Sequence, residues 1–226
     1  MKYYLYCSDA KIEMLFPQMN SWSKINFKLN LAFRNFFSLG LVVDAQKHKL
    51  RKAKKVSEYI LKKCEVGTIN NPKSYIQDTA KLKWGILSLE QSDRMVIFYL
   101  LSRKGKKSEQ ENYGDLVFIL GGTPKHVTTE EPPMFDETRR SDLFNISVFF
   151  NRLDSFGPND EIVNNLRAPV NQGAYHAIEW LSSRHLGQLV EQEIEFLAKK
   201  LYEDTQEIGS RKIKIVIGSP IYASLI

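Results

Sequence analysis

The chain has 226 residues, of which 43% are hydrophobic and 26% charged, and its formal net charge is +6. This composition can build a packed core, and it excludes a wholly disordered chain. Because single cores usually stop growing beyond about 250 residues, we expect one domain over residues 1–226. Two cysteines, Cys7 and Cys64, are too few for a disulfide framework, and no window approaches the about 20 apolar residues of a membrane helix. We therefore expect a cytoplasmic protein without a transmembrane segment.

The first part of the chain predicts mainly strands. Residues 2–7 (KYYLYC) are aromatic and apolar, and they end at a turn-forming Ser-Asp pair. Residues 25–33 alternate strictly between apolar and polar side chains, which is typical of a half-buried strand. Apolar runs predict further strands at 82–89, 95–101 and 115–120. Residues 1–122 are therefore predicted to form a β-rich part.

A basic helix is predicted over residues 47–63. Apolar residues recur at helical spacing at Ala53, Val56 and Ile60, while lysines and arginines occupy the other faces. Such a face could follow the phosphates of nucleic acid or lie on an anionic membrane, but a solvated helix surface has the same pattern. The residues that would contact an anion or a nucleic acid are Lys47, Lys49, Arg51, Lys52, Lys54 and Lys55.

The second part of the chain predicts helices followed by a final strand. A loop over 123–140 precedes a helical part at 141–205, with one helix at 141–156 and a long one at 173–204. The long helix rests on a stripe formed by Leu186, Val190, Ile194, Leu197 and Leu201. A closing strand follows at 211–218 and stops at Gly218-Ser219-Pro220. The predicted fold class is α+β, with a mixed sheet of about six to eight strands that includes both termini and packs with the basic helix and the long C-terminal helix.

The usual cofactor and metal motifs are missing from the sequence. It contains no P-loop, no G-x-G-x-x-G after a strand and no G-x-S-x-G nucleophile elbow. The histidines and cysteines show neither H-E-x-x-H nor paired C-x-x-C spacing, and His176 with Glu179 is the kind of pair common on helix surfaces. We therefore expect no metal and no cofactor.

Three predicted strands end in small, polar turns, namely Cys7-Ser8-Asp9, Gly121-Gly122-Thr123 and Gly218-Ser219-Pro220. If these strands run parallel, the turns meet at one edge of the sheet, where open sheets bind ligands. Turn-forming residues are also common at strand ends for structural reasons. The candidate ligand-binding residues are Ser8, Asp9, Lys11, Gly121, Gly122, Thr123, Lys125, His126 and Ser219. Asp9 and His126 could act as an acid–base pair.

Three blocks of the chain together resemble an uncharacterised bacterial family. These are YYLYCSDAKIEML (residues 3–15), LGGTPKHV (120–127) and IGSPIYA (217–223). Members start with Y-x-S-D-x-K, carry a G-G-S-x-x-H-like middle and end in G-S-P-L-Y, whereas this chain has Thr123 and Ile221 at two of these positions. The resemblance implies an association with bacterial signalling or defence, and it singles out the same three turns.

The sequence leaves three functions open. The favoured one is a ligand-binding or sensory module of a bacterial signalling or defence system, with a small anionic, nucleotide-like ligand and a protein partner in an operon-encoded assembly. The second is a hydrolase or nucleotide-processing enzyme that uses Asp9 and His126. The third is binding of nucleic acid or a membrane surface through the helix at 47–63. An enzyme is not favoured, because no nucleophile, metal set or cofactor loop is evident.

Overall fold

The computed structural model describes residues 2–19, 41–88, 94–103, 115–130, 132–136, 174–179, 182–183, 190–208 and 210–226. They form two compact units, which we call the barrel unit (Met1–Cys7 and Val66–Ile226) and the helical unit (Ser8–Glu65). That residues 1–226 make one domain stays a prediction. The strand predicted at 25–33 and the helix predicted at 141–156 lie outside the described residues.

The barrel unit is built from strands that join in a single eight-stranded sheet. They are β1 (Tyr3–Cys7), β2 (Val66–Gly67), β3 (Tyr75–Ser88), β4 (Arg94–Ser102), β5 (Leu116–Gly122), β6 (Met134–Asp136), β7 (Gln192–Ile208) and β8 (Arg211–Leu225). The predictions of strands at 2–7, 95–101 and 115–120 are confirmed by β1, β4 and β5.

Five of these strands close into a barrel. β3 pairs with β4, β4 with β5, β5 with β8, β8 with β7, and β7 returns to β3. All five pairs are antiparallel except that of β5 with β8. This order, with its parallel pair between the third and fifth barrel strands, is the order of the OB-fold, a five-stranded Greek-key barrel. β1 pairs with β8 beyond the point where β5 leaves it, so that Tyr3 lies opposite Leu225 and the first and last strands are neighbours.

The interior of the barrel is one apolar cluster to which every barrel strand contributes. Alternate residues of a strand point to opposite faces, so β4 sends Val96, Phe98 and Leu100 inward. Phe118 and Phe196 meet at the centre, with their ring centroids 5.2 Å apart. The other members include Leu5, Tyr6, Ile69, Ile76, Ala80, Leu82, Trp84, Leu116, Leu120, Ile194, Ala198, Val216 and Ala223.

The outer face of β4, β5 and β8 is buried as well. Met95, Ile97 and Tyr99 point outward from β4 and pack in a second cluster with helical residues 174–178. Because both faces are covered, β4 has a continuous apolar sequence, MVIFYLL, instead of an alternating one. Arg103 fastens the helical residues to the barrel unit, since its guanidinium donates hydrogen bonds to Tyr175 Oη (3.1 Å) and to the Glu179 carboxylate.

The predicted α+β class is wrong, and so is the long C-terminal helix. Residues 192–208 form strand β7, and most of the described chain is strand. The error has a physical cause, since β7 is buried on both faces. Ile194, Phe196 and Ala198 keep the period of two and belong to the barrel interior, whereas Leu197 is buried on the opposite face and Leu201 packs against the second cluster. Burial on both faces gives Ile194, Leu197 and Leu201 the spacing of a helical stripe.

The closing strand was predicted to stop too early. β8 continues through Gly218, Ser219 and Pro220 to Leu225. Pro220 lies opposite Ala198 and next to Ile221, which is an extra residue of β8 in its pairing with β7, and proline is tolerated at such bulges because a ladder hydrogen bond is already lost there. Ser219 is therefore a residue within a strand and does not follow one.

The helical unit contains α1 (Asp9–Met19) and α2 (Leu41–Lys63). The helix predicted at 47–63 is confirmed, and it begins earlier than expected. Ser8 caps α1, since its Oγ accepts a hydrogen bond from Lys11 N at 3.4 Å. Ion pairs join the two helices at Asp9–Lys49 (2.9 Å) and Glu13–Lys52 (2.7 Å).

Candidate functional site

Four of the predicted ligand-binding residues lie together in the barrel unit. Gly121 and Gly122 end β5, and Ser219 Oγ donates a hydrogen bond to Gly121 O at 3.1 Å. His126 is buried, and its ring contacts that of Tyr6 edge-on, with 5.8 Å between the centroids. A Cβ on Gly122 would lie 2.3 Å from Tyr6 Oη, so this glycine is required by close packing. The parallel arrangement assumed for the three strands is not found, since β1 is antiparallel to β8.

Thr123 and Lys125 lie next to this cluster. Thr123 precedes a short 3-10 helix, Pro124–His126, and its Oγ1 is buried without a hydrogen-bond partner among the described residues. Lys125 is exposed. The close approach of Gly122 to Tyr6 and the hydrogen bond from Ser219 to Gly121 make the cluster tightly packed.

The remaining predicted residues belong to the helical unit. Ser8 is the cap of α1, and Asp9 binds Lys49, so both have structural roles. Lys11 lies in the first turn of α1. The basic candidates lie on α2, namely Lys49, Arg51, Lys52, Lys54 and Lys55. The backbone of Lys47 also belongs to α2, but its side chain is not among those that the structure describes. A pairing of Asp9 with His126 stays a prediction.

A cleft of about 600 Å³ opens at one end of the barrel, and the sequence did not predict it. Its floor contains Leu5 and Trp84, both members of the barrel interior. The indole ring of Trp84 stacks on Phe98 at 5.5 Å, and its Nε1 donates a hydrogen bond to Gln192 Oε1 at 2.7 Å. The lining residues are Tyr3, Leu5, Trp84, Thr128, Thr129, Glu130, Pro133, Val190, Gln192 and Leu225.

The wall of the cleft is a series of backbone pairings that runs from strand to strand. β1 pairs with β8, β8 with β7, and β7 with β3. The segment after β5 completes the wall, because Pro133 O accepts a hydrogen bond from Ile86 N at 2.7 Å and Thr128 N donates one to Leu5 O at 3.0 Å. The pairings around the cleft are Tyr3–Leu225, Leu225–Ile194, Gln192–Leu82, Ile86–Pro133 and Thr128–Leu5. Such a wall makes the cleft largely pre-formed, as small-molecule sites usually are.

The surroundings of the cleft are apolar and acidic. Val190 (74% exposed) and Tyr3 (57%) line it, and Met134 and Ile226, which are also largely exposed, directly follow lining residues. These account for four of the six large hydrophobic side chains that are exposed in the described part of the chain. Glu130 is the charged residue among those that line the cleft. Exposed apolar surface gathered around a concavity marks a binding site more often than isolated apolar residues do.

A polar network next to the cleft holds β1 in place. Glu195 accepts hydrogen bonds from Lys2 (2.5 Å) and from Tyr222 Oη (2.7 Å), and the Lys2 ammonium lies 5.6 Å from the centre of the Tyr222 ring. Burial raises the pKa of Glu195, but these hydrogen bonds and the charge of Lys2 outweigh it, so the pKa lies below its ordinary value. Burial and the bond to Glu195 raise the pKa of Tyr222. Glu195 is therefore ionised and Tyr222 neutral near pH 7.

The sequence carried partial signals for the cleft. Tyr3 and Leu5 belong to the first conspicuous block, and Thr128–Glu130 directly follow the second. Trp84 stands in a strand beside Lys83 and Gly85, an exposed-looking context for a large aromatic residue. None of these signals predicts that the residues meet, because they belong to elements far apart along the chain.

The described residues contain no group of three or more histidine, cysteine, aspartate or glutamate side chains that could hold a metal ion. Among the same residues, no helix is long and apolar enough to span a membrane.

A family model matches residues 2–226, and its description is "Family of unknown function (DUF7019)". The chain belongs to this family. The match covers nearly the whole chain, which agrees with the resemblance to an uncharacterised family. No curated protein and no solved structure matches the chain. DUF7019 membership therefore defines a family and leaves the activity to be argued from the cleft.

Proposed function

We propose that this DUF7019 protein is a ligand-binding module whose ligand occupies the cleft at the end of the barrel. The observation that carries the proposal is the wall of backbone pairings around a floor that contains Trp84. Because backbone pairings already hold this wall, little conformational entropy is lost when a ligand binds, and more of the interaction energy contributes to affinity. The association with a bacterial signalling or defence system, implied by the resemblance, is part of the proposal.

The lining selects a class of ligand. Tyr3 and Trp84 provide aromatic surface, and Thr128, Thr129 and Gln192 provide hydrogen-bonding groups. The charge that lines the cleft comes from Glu130. An anion would be repelled by this carboxylate, whereas a cation would be attracted by it and by the aromatic faces. The proposed ligand is therefore a small ring compound that is neutral or cationic, rather than the anionic nucleotide expected from the sequence.

An enzyme, and nucleic-acid binding by the outer face of the barrel, have less support from the contacts, whereas binding through the helix at 47–63 stays a prediction. An enzyme that uses Asp9 and His126 would need both side chains available, but Asp9 binds Lys49 and His126 is buried. In OB-folds, the outer face of the second and third strands binds oligonucleotides. Here the corresponding face of β4 and β5 is apolar and packs against helical residues 174–178, so the barrel does not offer that surface.

A thermal-shift screen with a cleft-filling variant tests the proposal. The panel contains neutral heterocycles, aromatic amines, nucleosides and nucleotides. A compound at 100 times its Kd adds about 2.7 kcal/mol to the native state, and we expect neutral or cationic ring compounds to raise Tm by about 5–10 °C. Val190→Trp should remove this shift, because the indole would occupy the cleft next to Tyr3.

Lys212→Trp is the matched control, since Lys212 is exposed on β8 and does not line the cleft. It should keep the full shift. Compounds that stabilise Val190→Trp as strongly as the unmodified protein would place the ligand elsewhere. A response confined to nucleotides would contradict the proposed ligand class.

A further inference from the structure

We infer that the outer face of α2 is a contact surface for duplex DNA, separate from the cleft. Ala53, Val56 and Ile60 are buried and form one face. Arg51, Lys54, Lys55 and Lys62 are exposed on the opposite face, where Glu58 is the exposed acid.

The cations of α2 fall into two sets, those that form ion pairs with acidic residues of α1 and those that do not. Asp9 binds Lys49 at 2.9 Å, and Glu13 binds Lys52 at 2.7 Å, with the Lys52 ammonium also 5.4 Å from the centre of the Phe16 ring. Lys49 and Lys52 are therefore neutralised within the helical unit. Among the described residues, no acid lies within ion-pair distance of Arg51, Lys54, Lys55 or Lys62. A positive outer face remains after the internal pairs are formed.

The spacing of the outer cations suits a phosphate backbone. Arg51, Lys55 and Lys62 follow one another at intervals of four and seven residues, which places them within about 40° of each other around the helix and along about 16 Å of its axis. The row extends over about 16 Å, which is long enough to lie against successive phosphates of one DNA strand. A rigid row of cations is the feature that follows a backbone without reading its sequence.

An anionic membrane fits the same face less well. Helices that lie on membranes insert an apolar face, often with tryptophan, phenylalanine or leucine, between the lipids. The apolar face of α2 is buried, and Leu61 is the large apolar side chain exposed on the helix in its described part. Duplex DNA needs only the charge and the spacing, which α2 provides.

The test is the salt dependence of binding to a fluorescein-labelled 20-base-pair DNA of random sequence, measured by fluorescence anisotropy. We expect the full chain to bind at 50 mM NaCl and to weaken as salt rises. The variant Arg51→Gln/Lys55→Gln/Lys62→Gln should bind at least about tenfold more weakly, and the slope of log K against log[salt] should become shallower by about 2.7 because three phosphate contacts are lost. Circular dichroism and an unchanged Tm show that the variant is folded.

The matched control is Lys73→Gln/Lys125→Gln/Lys212→Gln, which removes the same charge from exposed positions of the barrel unit. It should leave affinity and slope close to those of the unmodified chain. Equal losses in the two variants would overturn the inference, because net charge alone would then explain binding. Failure to bind the duplex at 50 mM NaCl, or binding only to vesicles with 30% phosphatidylserine, would overturn it as well.

Discussion

Replacing Phe196 by alanine should lower the free energy of unfolding by about 3–5 kcal/mol, the usual cost of truncating a fully buried phenylalanine. Phe196 points into the barrel from β7 and contacts Phe118, so the truncation would leave a cavity at the centre of the interior cluster. Urea unfolding followed by circular dichroism measures the loss. The result also decides between strand and helix for this segment.

A helix with its stripe at Ile194, Leu197 and Leu201 would place Phe196 about 130° away from the middle of that stripe, on the solvent side. Truncation there would cost less than about 1 kcal/mol. Glu207→Ala is the control within β7, since Glu207 is exposed, and it should change stability by no more than about 0.5 kcal/mol. A loss at Phe196 no larger than that at Glu207 would contradict the barrel.

Gly122→Ala should destabilise the protein by about 1–3 kcal/mol, because it adds a methyl group to a filled space. The new Cβ would lie 2.3 Å from Tyr6 Oη and 2.8 Å from Tyr6 Cζ. Tyr6 is fully buried between Phe98 and His126, so its ring has little room to move away. Urea unfolding of the single variants and of the double variant gives the coupling energy.

The expected coupling depends on the partner residue. In a Tyr6→Leu background, where the ring is absent, Gly122→Ala should cost at least about 1 kcal/mol less than in the unmodified chain. Gly218→Ala is the matched control, since its Cβ would meet Leu120 and the carbonyl of Lys199 instead of Tyr6. Its cost should be the same in both backgrounds. A Gly122→Ala cost that does not change would show that the contact with Tyr6 is not what requires this glycine.

Local sequence patterns predicted those elements whose pattern fits one type of secondary structure. The apolar runs of β4 and β5 can hardly be anything but buried strands, and the stripe of Ala53, Val56 and Ile60 indicated α2. β7 was mistaken for a helix because it is buried on both faces, so that Ile194 on the interior face and Leu197 and Leu201 on the other side are three and four positions apart. The end of β8 was missed because Gly218-Ser219-Pro220 has the composition of a turn, although neighbouring strands hold it extended.

The cleft could not be predicted, because it exists only after the barrel has closed. Tyr3, Trp84, Thr129 and Val190 come from distant parts of the chain, and each alone has an ordinary explanation. The strand-end blocks did identify a real neighbourhood, since Gly121, His126 and Ser219 lie near one another. The requirement for Gly122 beside Tyr6 gives part of that neighbourhood a packing role. A ligand-binding role for these residues stays a prediction.

Disulfide tethering tests most directly whether the cleft is the ligand site. Val190→Cys places a thiol at the cleft and Lys212→Cys places one on an exposed strand, both in a Cys64→Ser background in which Cys7 is buried. Each protein is exposed to a library of disulfide fragments under increasing thiol reductant, and captured fragments are identified by mass spectrometry. We predict that Val190→Cys keeps neutral and cationic ring fragments at reductant concentrations that reduce the mixed disulfides of the same fragments with Lys212→Cys. Capture of the same fragments with the same reductant dependence at both positions would contradict a binding cleft at the end of the barrel.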